Sequence, residues 1–88
     1  MPSVTVGLPP VLLGTRQAST ETFAAGTVGE ALRQLVERRP QQASRIFYGE
    51  RLLVVVTLNG KHLSPLGVLD TKLAEGDRID LFLPVAGG

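Results

Sequence analysis

One stretch, TVGEALRQLVERRP (residues 27–40), does most to limit what this 88-residue chain can become. Val28, Ala31, Leu32, Leu35 and Val36 fall at i, i+3, i+4, i+7 and i+8, which makes one apolar stripe along a helix. Thr27, with Glu30 three residues later, gives the T-x-x-E capping box that opens such a helix. Arg38 and Arg39 put positive charge at its C-terminal end, where the macrodipole favours it, and Pro40 stops it. The spacing predicts a helix from Thr27 or Val28 to about Arg39. The other readable segments have strand patterns, so a single helix has a sheet to cover and can cover only one face of it. The second face is open, or something else covers it.

The strands follow from period-two alternation and from turn residues. In SVTVGL (residues 3–8) Val4, Val6 and Leu8 share one face, and Pro9 and Pro10 end the strand because neither can donate to a ladder. A loop through Gly14 leads to a more polar strand at residues 17–24, carrying Phe23. Residues 40–50 are the least patterned; Ile46, Phe47 and Tyr48 are expected to tuck beneath the helix or sheet, with Gly49 as a turn. LLVVVTL (52–58) reads as an inner strand, Asn59-Gly60 as a hairpin turn, and 61–63 as a short return strand. Residues 64–73 suit an irregular crossover with a helical turn, 74–77 a turn, and RIDLFLP (78–84) a last alternating strand. Alternation puts Val4, Val6, Leu52, Val54, Val56, Ile79, Leu81 and Leu83 toward the helix. The opposite face receives Leu53, Val55 and Phe82, together with Thr5, Thr57 and Asp80. Leu53, Val55 and Phe82 then form either a docking surface or a floor over which residues 40–50 fold back.

Composition removes several function classes. The chain has no cysteine, hence no disulfide, thiol nucleophile or thiolate-bound metal. Its single histidine, His62, reads as a solvated residue in a polar turn. No phosphate-binding glycine loop is present, so any ATP is bound by a partner. A formal net charge of +1 offers no electrostatic argument for nucleic acid or for an anionic membrane. No apolar run approaches the ~20 residues of a membrane span, and neither a leader nor a lipidation motif is evident, which makes the cytoplasm the expected location.

The ending LFLPVAGG (residues 81–88) raises a separate question. Two terminal glycines by chance have a probability of roughly one in a hundred at this glycine content, treating positions as independent. The expected division is a folded domain over 1–84 and a flexible tail over 85–88. Such a tail reaches at most ~13–14 Å beyond the fold. Glycine lets backbone pass through a channel too narrow for side chains, and the Gly88 carboxylate is left sterically open.

Here the chain resembles the ubiquitin-like β-grasp sulfur carriers of the MoaD/ThiS family, which includes the small subunit of molybdopterin synthase and the thiamine sulfur carrier. SVTVGLPPVLL is similar to the family's first strand, GTVGEALRQLVERRP to its capped helix and VTLNGKHL to its strand and Asn-Gly turn. LAEGDRIDLFLPVAGG resembles the family's ending and is the specific signal. The resemblance extends over the whole chain. It implies an α+β, β-grasp fold: a mixed sheet of four to five strands with one main helix on one face.

The resemblance also implies a role without catalytic residues. A ubiquitin-activating-type adenylating enzyme would use ATP to adenylate the Gly88 carboxylate, and a sulfur donor would convert it to a thiocarboxylate. This chain would bind no cofactor of its own. Gly87 and Gly88 would carry the function, Pro84, Val85 and Ala86 would form tail contacts, and Phe82, Leu53 and Val55 would dock the partner. A synthase subunit would accept the sulfur, in the molybdopterin branch by chain length and by the 40–50 segment. Carriers for thiamine or cysteine biosynthesis and protein modifiers joined to lysines are alternatives within the family. Lys61 and Lys72 could pair with acids of a partner but read more simply as solvated lysines. Outside the family, the alternative is a β-grasp interaction domain whose Gly-Gly is incidental.

Overall fold

Thr27 caps the helix where the sequence places it. In the computed structural model, which describes residues 1–84, its hydroxyl accepts from the Glu30 N–H at 3.2 Å and α2 runs over Val28–Arg38. The Glu30 carboxylate turns to the Thr27 hydroxyl, 3.4 Å away, so the box closes on the side chain. Val28, Ala31, Leu32 and Leu35 are fully buried, in one cluster with Val4, Val6, Phe23, Val56, Ile79 and Leu81. Each such buried aliphatic side chain contributes on the order of 1.5–3 kcal/mol, so the stripe fixes the helix to one face of the sheet.

That sheet has five strands: β1 (Ser3–Leu8), β2 (Ser19–Ala24), β5 (Val55–Leu58), β6 (Lys61–His62) and β7 (Arg78–Phe82), in the order β2-β1-β7-β5-β6. β1 and β7 run parallel and the other pairs antiparallel, which makes a mixed sheet with one main helix, the β-grasp arrangement. Asn59 and Gly60 both adopt positive φ, 50° and 86°, the backbone that a two-residue turn between β5 and β6 requires.

Three segments differ from the sequence expectation. Residues 10–13, read as loop, form a single helical turn, α1 (Pro10–Leu13), with Pro10 in its first turn and Gly14 at φ 69° closing it. Proline has the right φ for that position and lacks a donor the first turn leaves unused anyway; Leu12 goes fully into the core. Residues 52–58 are not one strand. β3 (Phe47–Tyr48) and β4 (Arg51–Leu52) form a separate hairpin about Gly49, φ 62°. The Leu53 N–H then donates to the Ile46 carbonyl at 2.8 Å, so the chain joins the sheet only at Val55. Tyr48, expected beneath the helix or sheet, is 79% exposed on this hairpin, while Ile46 is buried and Phe47 partly so. Leu52 and Leu83, expected to face the helix, pack against the core but are only partly buried.

Residues 40–50 settle on the helix side. Short α3 (Ala43–Ile46) inserts Ile46 into the core, and the Arg45 guanidinium donates to the Leu12 carbonyl at 2.9 Å. This segment does not fold back over Phe82.

Candidate functional site: the open sheet face and the chain exit

Register fixes what the uncovered face carries. β7 presents Arg78, Asp80 and Phe82 there, since Ile79 and Leu81 face the core. Thr5 and Gly7 of β1 lie opposite Arg78 and Asp80; Val55 and Thr57 of β5 lie opposite Phe82 and Asp80; His62 lies opposite Thr57. Phe82 is 48% exposed, directly beside half-buried Val55. Thr57 is only 5% exposed despite facing outward, because Asp80 and His62 flank it in register.

The open face, expected as one surface, divides into two zones. Near the chain exit, Phe82 and Val55 form an apolar pair. Further along β7, Arg78 donates from Nε and Nη2 to the Asp80 carboxylate at 3.0–3.2 Å. Those hydrogen bonds to Asp80 raise the pKa of Arg78 above its usual value. Gly7 makes the arrangement possible, since a Cβ at that position would collide with the Asp80 carboxylate. Arg78 and Gly7 were not singled out from sequence; the available signal was a glycine inside an otherwise alternating strand, which marks close approach.

Two hollows lie near the end of β7, one walled in part by Phe82 and the other by Pro84. One, of about 560 Å³, lies over Gly7 and Asp80, with Phe82, Pro9 and Ser19 among its walls. The other, about 830 Å³, is lined by Leu53, Val55, Leu63, Leu69 and Pro84, among others. Pro84, exposed, therefore leaves the fold beside Leu53 and Val55. The structure brings together Leu53, Val55 and Pro84 around one groove and Phe82 beside Val55 across the ladder. Val85, Ala86, Gly87 and Gly88 lie outside the described residues.

At the opposite end of β7, Asn59 ties the β5–β6 turn to residues 77 and 78. Its amide donates to Asp77 Oδ1 at 2.9 Å and its oxygen accepts from the Arg78 N–H at 2.9 Å. The Ala74 N–H and then the Asn59 amide hold the Asp77 carboxyl below its usual pKa. Among the described residues no group of three or more His, Cys, Asp or Glu could hold a metal ion, and no helix is long and apolar enough to cross a membrane.

Comparison with known families matches residues 13–88 to the ThiS family. The chain belongs to that family. The match runs through Gly88 and covers the helix, the sheet strands after β1 and the Gly-Gly ending together. Solved structures of the same fold extend it over the full length. SAMP1 from Haloferax volcanii is 32% identical, over 98% of this chain and 99% of that one, with a TM-score of 0.75. The small archaeal modifier protein 1 of Methanosarcina acetivorans is 25% identical, over 100% and 98%, with a TM-score of 0.79. A chain of the BexX/CysO complex of Amycolatopsis orientalis is 26% identical, over 97% and 99%, with a TM-score of 0.73. No curated protein sequence matches significantly. Membership of the ThiS family, with this fold, makes the chain a ubiquitin-like carrier or modifier; the pathway it serves is a separate matter.

Proposed function

We propose that this protein carries sulfur as a thiocarboxylate on Gly88. The observation that supports the reading is the family match running through to Gly88, on a fold whose β7 ends in an exposed Phe82 beside the exit of the chain. A Gly88 carboxylate oxygen attacks the α-phosphorus of ATP held by an adenylating partner, and pyrophosphate leaves. Hydrosulfide then adds to the acyl carbon, AMP leaves, and the thiocarboxylate remains. A persulfide donor would give an acyl disulfide first, and a thiol reductant must supply two electrons to release the thiocarboxylate. This chain contributes the Gly88 carboxylate, with Pro84, Val85, Ala86 and Gly87 as the arm, and a docking face at Phe82, Val55 and Leu53. ATP and the chemistry belong to the partner.

Molybdopterin synthesis is the acceptor pathway proposed, on chain length and on the 40–50 segment, with a synthase subunit receiving the sulfur. A second reading, protein modification, has its own support in the 32% identity to an archaeal SAMP1. There a lysine amine, instead of sulfide, would attack the activated Gly88 carbonyl. Incubation of the full chain with a cognate adenylating enzyme, ATP and sulfide, followed by intact mass, tests both. Replacement of one oxygen by sulfur supports the carrier, and lysine-linked adducts formed without sulfide support the modifier. Deletion of Gly88, or one residue added after it, should abolish either product. Activation that survives both changes would refute the role of this terminus.

A further inference from the structure

The sheet has two edges, and they are treated differently. The β6 edge is two residues long and is followed closely by Pro65, so it offers an added strand little to pair with. The β2 edge is six residues long. Its pairing with β1 shows which of its groups point outward. The Ala25 N–H donates to the Pro2 carbonyl at 3.0 Å, and antiparallel ladders alternate, so residues 23, 21 and 19 bond to β1. The N–H and C=O groups of Thr20, Thr22 and Ala24 therefore face away from the sheet.

Helix α2 occupies two of these outward carbonyls. Gln34 Nε2 donates to the Ala24 oxygen at 2.8 Å, and Arg38 Nη1 reaches the Thr22 oxygen at 3.4 Å. Arg38 is held in place twice more: by Glu21 Oε1 at 2.9 Å and by the Phe23 ring, whose centroid lies 4.5 Å from its Cζ. Both donors sit on the polar side of the helix, one turn apart, above a strand that otherwise has a complete row for pairing.

We propose that Gln34 and Arg38 guard the β2 edge against a second copy of this chain. The edge is self-complementary. Pairing Thr22 with Thr22 of a second copy sets Thr20 against Ala24, so outward groups meet outward groups at every hydrogen-bonded position. In that register Glu21 opposes Phe23, and like charges do not meet. The product is a two-fold dimer with a continuous ten-stranded sheet, twice the five strands of the monomer. The guard keeps such a dimer from forming and leaves the chain a monomer.

The test is the double substitution Gln34→Ala/Arg38→Ala, with Arg39 retained to hold Glu21. Alanine is a strong helix former, which favours α2 in both positions. Light scattering after size exclusion should give the wild-type mass at all concentrations and a concentration-dependent doubling for the variant. Hydrogen exchange at Thr20, Thr22 and Ala24 should slow in step with that doubling. Adding Thr22→Pro, which removes an outward N–H without touching the β1 ladder, should restore the monomer. A folded double variant that stays monomeric, or a dimer unaffected by Thr22→Pro, overturns the proposal. If the double variant does not fold, Gln34→Ala alone decides, with the same readouts and a weaker dimer expected.

Discussion

Glu21 joins β2 to the end of α2, and its removal should show a specific pH signature. The carboxylate is 16% exposed and accepts from Arg38 at 2.9 Å and from Arg39 at 2.7 Å. Hydrogen bonds from Arg38, then from Arg39, hold its pKa below the ordinary value of 4.5. Arg38 and Arg39 are 50% and 30% exposed, so solvent screens both pairs and each is worth about 0.2–1 kcal/mol. Glu21→Gln should therefore cost about 1 kcal/mol near neutral pH, or about 4–8 °C in Tm for a domain of this size. The sign follows from the depressed pKa. The stabilisation is complete above the unfolded-state pKa and disappears as pH falls through the lower, folded-state one. Urea or thermal unfolding of both proteins at neutral pH and at about pH 2 gives the comparison. The gap between wild type and Glu21→Gln should be present at the first and vanish at the second. Equal gaps at both pH values would mean that the loss comes from packing and that the ion pairs contribute nothing.

Leu12→Ala, in a helical turn that sequence patterning passes over, should cost about 2–5 kcal/mol because Leu12 is fully buried; chemical denaturation measures it. Thr27→Ala should cost about 1 kcal/mol through loss of the hydrogen bond to the Glu30 N–H, with faster amide exchange at Glu30. Phe82→Ala should leave stability within about 1 kcal/mol of wild type, because the ring is already half in solvent. If Phe82 docks the adenylating partner, the same variant raises the concentration of carrier needed for half-maximal adenylation, and an unchanged dependence would remove it from that interface.

The helix, the first strand and the Asn59-Gly60 turn were legible because each rests on local chemistry: a capped apolar stripe, clean alternation, and residues that tolerate positive φ. The segment from 47 to 58 was not. A short continuous apolar run has no periodicity to show where a strand breaks. What breaks this one is a bond to Ile46, in a region without pattern of its own. α1 was hidden for a related reason, since Pro9 and Pro10 end a strand and begin a helical turn with the same fixed φ. On the open face, alternation placed Phe82, Val55 and Asp80 on one side. The pairing of Asp80 with Arg78 over Gly7 depends on β1 lying parallel to β7, and no local signal reports which strands become neighbours. The Gly-Gly ending was legible as sequence, and its recognition came from resemblance.

β7 pairs with β1 on one side and β5 on the other. β7 is thus the middle strand of the sheet, and without it β1–β2 and β5–β6 are two unconnected hairpins. Neither hairpin pairs with the other directly, so the two halves share one opening event: loosening β7 exposes the apolar faces of both, and the surface around Phe82 exists only while the whole sheet is closed. A partner that recognises that surface would read, in one contact, that the domain in front of it is folded.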